Sequence, residues 1–406
     1  MQRIRMSIPY FEHYGWEAEV VMVDSLYTDQ QKDHLLLLSI PAHTKVHTVK
    51  AFPKKLTGKI GMGSLAWRCY WQYKIKVAEL LNTYKYDLIY FSTTQFPVCA
   101  LGAYWKKLFG IPYVIDMQDP WYSTYYKGKA KQAQSIKQKL NTQLHKYLES
   151  VAMNSVNGLI SVSQAYINVI KENYPALKHI PSVSIPFGAF KPDTEIAITN
   201  ARLFTNLLDS NFINLVYIGR GGTDLHRAII PLFKALQIGL GNNSALYGKL
   251  KIYFIGTSYA PLGLGVPTII PLAKQFGIAN NVVEITDRIS YYHTLLTLQQ
   301  ANALFIPGSD DPQYSASKIY PYLLTNKPLM AIFNPQSPVI DILAEYGAGY
   351  TYSFKDTAVE KQVNLFLVKL LNNKLSAPAY NHTAIQKYSA ENLTKLQCQL
   401  FEQALK

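Results

Sequence analysis

The sequence predicts an α/β protein made of two doubly wound halves, each with a parallel sheet. Three observations carry this. Short apolar strands alternate with amphipathic helices along most of the chain, and strands joined by helical crossovers lie parallel. The apolar period breaks near 188–212, around Gly188, Pro192 and Asp193, and then restarts. The 406 residues, 49% of them hydrophobic, suffice for two cores of ordinary domain size, about 150–200 residues each.

The elements follow in order. The first 15 residues read as an amphipathic helix leading into the strand EAEVVMV (17–23). Residues 45–50 are a weaker strand, and 64–84 a long amphipathic helix. The clearest unit comes next: strand DLIYFST (87–93), a helix over 96–109, Gly110 as its stop, and strand PYVIDM (112–117). A Lys-rich helix spans about 130–153. Strand GLISVS (158–163), a helix to about 173 and strand SVSIPF (182–187) complete the half. The second half opens on INLVYIG (213–219), which runs through a glycine-rich turn into a helix from Asp224. Strands KIYFIG (251–256) and VVEIT (282–286), a helix over 291–300, strand ALFIPG (303–308), a helix over 316–325 and strand PLMAIF (328–333) follow. A last helix occupies about 384–405. The expected domains are 1–188 and 189–383, with 384–406 packing back across both. A doubly wound half normally opens with a strand and a ligand loop. No sequence precedes the first helix here, so the first strand is expected to be missing, or Met1 to be an internal methionine.

Composition bounds the setting. No apolar run approaches the roughly 18–20 residues of a membrane span; Leu35–Leu38 is short and ends at Ser39. Arg3 and Arg5 precede no apolar core, so the N-terminus is not a signal peptide. Cys69, Cys99 and Cys398 lie too far apart for a disulfide framework or metal pattern and read as buried thiols in a reducing cytoplasm. The net charge of +14 is lopsided: residues 1–190 hold 22 Lys and Arg against 12 Asp and Glu. Between Asp119 and Glu149 stand Lys127, Lys129, Lys131, Lys137, Lys139 and Lys146 with no acid, just after Tyr122, Tyr125 and Tyr126. Such a stretch is either a solvated helix face or suits an anionic surface: lipid headgroups, a lipid-linked phosphate acceptor or nucleic acid. No recognition motif supports nucleic acid. A cytoplasmic chain that could meet the inner face of the membrane is the expectation.

Two turns carry the candidate chemistry. After strand 213–219 comes Gly219-Arg220-Gly221-Gly222, then Thr223-Asp224 at a helix start. Small residues let amides approach an anion, the helix N-terminus adds positive potential, and Arg220 can fork onto a diphosphate. After strand 303–308 comes Ser315-Ala316-Ser317-Lys318-Ile319-Tyr320-Pro321-Tyr322. Hydroxyls, helix-start amides and Lys318 make a second anion site, or else an ordinary serine cap beside a surface lysine. Both loops follow strands of one half, and ligands of open parallel sheets sit beyond the carboxyl ends of the strands. Asp287-Arg288-Ile289-Ser290 follows another strand of that half and could read a nucleobase edge through its backbone.

These residues carry a resemblance. LVYIGRGG, ITDRISYYHTL and SASKIYPYLLTNKPLMAIF resemble the nucleotide-sugar domain of GT-B glycosyltransferases of the retaining family 4 type. GIPYVIDMQDPW, GLISVSQAY and the opening MQRIRMSIPYFEHYGWEAEVV resemble the other domain of that family. The resemblance implies the GT-B fold: two Rossmann-like doubly wound domains facing a central cleft. It implies transfer of a hexosyl group from an NDP-sugar, UDP-linked, to a hydroxyl of a glycan or lipid-linked acceptor, with retention and without a metal or other cofactor. Arg220 and Lys318 would neutralise the departing diphosphate, assisted by Ser317 and the amides of Gly221 and Gly222. Ile289, beside Arg288, would bond the base. Gly219, Gly256, Tyr314 and Ser315 would complete the donor contacts. Asp119 would face the cleft from the acceptor side, or cap a turn before Pro120.

The departures are specific. Where the family often has two glutamates with seven residues between them, this chain has Gln313 and Pro321, and Pro321 offers ribose no carboxylate. Where many members have a basic residue five places after the arginine stands Leu225, with His226 and Arg227 beside it. These departures keep open a catalytically inactive GT-B scaffold that binds nucleotide. His43 and His47 sit in an extended segment and make no metal site. Asp310 and Asp311 read as a solvated loop pair.

Overall fold

A computed structural model describes residues 2–28, 32–58, 63–121, 136–311, 318–376 and 379–406, excepting the side chains of 136–138 and 382. The chain divides into two compact units: 1–187 with 390–406, and 188–389.

In the first unit, strands β1 (Val20–Val23) and β2 (Val46–Val49) pair as a two-stranded parallel sheet. Strands β3 (Ile89–Ser92), β4 (Tyr113–Met117), β5 (Gly158–Ser161) and β6 (Ser182–Ser184) form a separate parallel sheet in chain order. Side chains of β4 alternate between two apolar layers. Tyr113, Ile115 and Met117 pack with Trp105, Ala152 and Met153 of the crossover helices Ala100–Phe109 and Ile136–Met153. Val114 packs with Leu393, Leu400 and Phe401 of the closing helix Ala390–Ala404. A strand covered on both faces reads as a nearly continuous apolar run, which made PYVIDM legible despite Asp116.

The opening helix is shorter than expected. It runs Gln2–Ser7 and passes into two single 3-10 turns, because Pro9 lacks an amide to continue the ladder and Gly15 closes the second turn at φ 76°. Arg3 on this helix is buried and meets the buried Asp116 of β4 at 2.6 Å, while its guanidinium also donates to the carbonyls of Ile185 and Pro186. His43 and His47 pair with Glu12 and Glu19.

The second unit holds one six-stranded parallel sheet: β7 (Ile213–Ile218), β8 (Leu250–Ile255), β9 (Val282–Ile285), β10 (Ala303–Pro307), β11 (Leu329–Phe333) and β12 (Tyr350–Ser353). The spatial order is β9-β8-β7-β10-β11-β12. Within this unit that is the three-two-one-four-five-six order of a dinucleotide-binding fold, with the topological switch between β7 and β10. The segment 188–212, read as a break, contains the helix Lys191–Thr199. Pro192 sits in its first turn, where a missing amide costs nothing. Asp193 is wholly buried and accepts from the hydroxyls of Tyr291 and Tyr292. The helix expected over 384–405 is two helices, His382–Lys387 in the second unit and Ala390–Ala404 in the first. Among the described residues no helix is long and apolar enough to cross a membrane.

Candidate functional site

The switch point opens because two neighbouring strands part company. β7 pairs with β10 only through Leu215–Val216 and Ala303–Leu304, whereas β10 pairs with β11 from Leu304 to Pro307. Beyond Val216 the β10 side of β7 has no ladder partner among the described residues. Tyr322, on the short helix Ile319–Leu323, fills the breach: its hydroxyl accepts from Ile218 N–H at 2.8 Å and donates to Ile218 O at 3.2 Å. The helix that follows Lys318 is thereby pinned to the strand that precedes Arg220. Sequence reading gave Tyr322 no role, and only its place one helical turn after Lys318 hinted at one.

The glycine turn after β7 is shaped by its neighbours. A β-carbon at Gly219 would lie 2.5 Å from the Tyr217 hydroxyl and 2.8 Å from Lys318 Nζ, so the ammonium sits directly against this backbone. Gly222 has φ 134°, open to glycine alone at little cost. The amides expected to bind an anion are engaged within the protein: Gly221 N–H donates to Thr257 O at 2.7 Å, and Gly222 N–H to Thr268 Oγ1 at 3.2 Å. Thr268 is held in turn by Glu284, whose carboxylate accepts from Thr257 Oγ1 and from the amides of Thr268, Ile269 and Ile270. Sequence reading missed Glu284, which stands on a strand and meets its partners only through the fold.

Arg220 and Asp224 form a two-pronged pair at 2.9 and 2.6 Å, and Ser309 Oγ donates to Asp224 at 2.6 Å. The Arg220 guanidinium, and after it the Ser309 hydroxyl, hold the Asp224 carboxyl below the usual range despite partial burial. The helix expected from Asp224 starts at His226, after a single 3-10 turn Thr223–Leu225, and this turn is what leaves Asp224 free to reach back to Arg220. Asp310 pairs with Arg227 at 3.5 Å.

Lys318 has no hydrogen-bonding or carboxylate partner among the described residues. Burial pushes its ammonium down to about 8, and the nearby charges of Arg288 and Arg220 add to the effect. Three cations from three loops thus act on one place. Arg288 follows β9, and its guanidinium lies 4.9 Å from the Tyr259 ring centre. Gly256, after β8, has φ 75°, left-handed backbone that favours glycine, and a β-carbon there would only touch the Arg288 backbone at 3.7 Å. Ile289 is half-buried against the core.

Of the expected site, the structure brings together Gly219, Arg220 and Lys318, with Arg288 close enough to be felt. Gln313, Tyr314, Ser315 and Ser317 lie outside the described residues. Pro321 is on the Lys318 helix and carries no polar group. Asp119 is exposed on the turn after β4 and belongs to the first unit. The buried carboxylate of that stretch is Asp116 instead. Among the described residues no cluster of His, Cys, Asp or Glu could hold a metal ion.

No family model matches the sequence. No curated protein matches it. Solved structures do. A UDP-forming α,α-trehalose-phosphate synthase from Burkholderia xenovorans, in complex with glucose-6-phosphate, matches at TM-score 0.56 and 8% identity, covering 98% of this chain and 96% of that one. Sucrose-phosphate synthase from Thermosynechococcus elongatus matches at 0.55 and 12%, covering 98% and 91%. An E. coli trehalose-6-phosphate structure bound with UDP-2-fluoro glucose matches at 0.51 and 11%, covering 95% and 99%. Identities this low speak for architecture alone, and the architecture is the mixed α/β, parallel-sheet GT-B fold.

Proposed function

We propose that this chain is a glycosyltransferase that takes a hexosyl group from a UDP-linked sugar and passes it to an acceptor hydroxyl. One observation carries the reading: at the topological switch of the second unit, the Lys318 ammonium lies against Gly219, beside Arg220 and Arg288, with no carboxylate partner among the described residues. A cation held out of water without a counter-charge is costly, and a diphosphate of two or more negative charges supplies what is absent. The structures similar to this chain support the donor class, since their names speak of UDP-forming synthases and of a bound UDP-sugar analogue.

The chemistry follows from where the charge develops. As the glycosidic C–O bond to the diphosphate breaks, negative charge accumulates on the leaving oxygen. Lys318 and Arg220 would stabilise it more in the transition state than in the bound donor, which is the condition for faster turnover. Retention of configuration, the family 4 type and a glycan or lipid-linked acceptor are part of this proposal and rest on the sequence resemblance. So does a role for Asp119 in orienting the acceptor or the donor sugar.

Titration calorimetry with UDP, then UDP-sugar hydrolysis and transfer assays, tests the reading. Lys318→Ala and Arg220→Ala should each lower turnover about a hundredfold or more, equivalent to roughly 2–4 kcal/mol of barrier. Near-normal rates in both variants would remove the site. Tight UDP binding with no turnover of any donor, together with the absence of a carboxylate at Pro321, would assign the chain as a nucleotide-binding scaffold instead.

A further inference from the structure

Helices of a doubly wound sheet bury one stripe and turn the other to water, and the outward stripe is ordinarily polar. Three helices of the first unit depart from that. Leu65–Thr83, Ala100–Phe109 and Ile136–Met153 all pack on the layer containing Phe91, Trp105 and Tyr113. Their outward faces nevertheless carry Trp71 and Ile75, Tyr104 and Leu108, and Leu144 and Tyr147, each exposed by 39% or more. The first two pairs are spaced i, i+4 and the third i, i+3, so each forms a stripe along its helix.

The stripes adjoin. Lys74 Nζ lies 4.9 Å from the Trp71 ring centre and 4.1 Å from that of Tyr104, joining the first helix to the second. Tyr70 is 6.3 Å from Trp71, and the neighbour that, after burial, raises the Tyr70 phenol is Tyr147 of the third helix. A contiguous apolar patch on a soluble fold marks a contact surface.

The charge around the patch names the partner. Lys74, Lys76, Lys107, Lys139 and Lys146 stand on the unburied faces of these helices, and the acids in the same segments are Glu79, paired with Lys76, and the buried Glu149. Amphipathic aromatics interleaved with lysines match a bilayer with anionic headgroups. Rings seat at the headgroup level while ammonium groups meet the lipid phosphates. We infer that the outward face of these three helices is a docking surface for an anionic membrane. The inference is independent of the nucleotide site, which lies in the other unit.

The test is co-sedimentation of the full chain with vesicles rich in phosphatidylglycerol and with pure phosphatidylcholine. Binding to the first, weakening as salt rises, is expected. The double variant Lys139→Gln, Lys146→Gln should lose roughly fivefold per lysine, about twenty-five-fold in all. Trp71→Ser should weaken binding with the melting transition and UDP binding unchanged, which separates a lost contact from a damaged fold. Equal binding to both vesicles, or none to the anionic ones at low salt, overturns the inference. So does a concentration-dependent dimer that Trp71→Ser dissolves, because the face would then belong to a second copy of the chain.

Discussion

An ammonium that leaves water without meeting a carboxylate holds its proton loosely, and among the described residues Lys318 is in that position at about 8. The sign of the consequence is fixed. The unfolded chain, with an ordinary lysine near 10.5, binds more protons than the folded one between about pH 8 and 10.5, so this residue makes the fold gain stability as pH rises through that window. An anion at the site restores the proton. UDP affinity should therefore be flat with respect to this group below about pH 8 and fall above it, by up to about tenfold per pH unit. Binding near pH 8 should take up protons, seen as a dependence of calorimetric enthalpy on the ionisation enthalpy of the buffer. Enthalpy that does not vary with buffer there would show that Lys318 does not meet the ligand. The candidates Gly219, Arg220 and Lys318 were legible because glycine clusters and a cation at a helix start are local signals. That Arg220 forks onto Asp224, and that the Gly221 and Gly222 amides are spent on Thr257 and Thr268, was not. Those partners come from elsewhere in the chain or depend on the shape of one turn.

Between elements, the decisive contact is the one that holds β7 and the Lys318 helix together where the ladder between β7 and β10 ends. Tyr322→Phe removes a hydroxyl that satisfies both polar groups of Ile218 and leaves them buried. The expected loss is about 1–3 kcal/mol of stability, read by urea unfolding. UDP affinity should fall with it, because the helix bearing Lys318 is released from the turn bearing Arg220. Unchanged unfolding and affinity would show that another contact holds the two elements. Strands such as Tyr113–Met117 and Ala303–Pro307 were readable as apolar runs. The helix Lys191–Thr199 was not, since a proline and an aspartate read as breakers until their places, first turn and buried acceptor, are known. β12, Tyr350–Ser353, is half-buried along its length and lacks the apolar run that marked the others.

At the scale of the molecule, each unit is secured by its own means. The second rests on one continuous core around its six strands. The first, with its strands in two sheets, also relies on a buried polar layer. Arg3 meets Asp116, Tyr90 bridges Asp116 and Gln397, and Gln397 donates to Ser7, so the helices at both chain ends are tied to β3 and β4. Arg3→Ala leaves the Asp116 charge buried without its partner, and the chain should lose about 3–5 kcal/mol. Denaturant unfolding at the wild-type midpoint would show that the pair carries no such weight.

What the sequence determined by itself was the alternation of strand and helix, the halving of the chain and the candidate residues Gly219, Arg220 and Lys318 in two turns of the second half. All of these are periodic or local, written within a few residues of where they act. Tertiary structure alone decided which strands became neighbours. By setting β7 beside β10 it brought residues almost a hundred positions apart to one opening, and by burying Lys318 there it loosened that ammonium's hold on its proton. Contacts of that separation leave no mark in local composition, because any side chain of suitable size and polarity could make them once the sheet order is set.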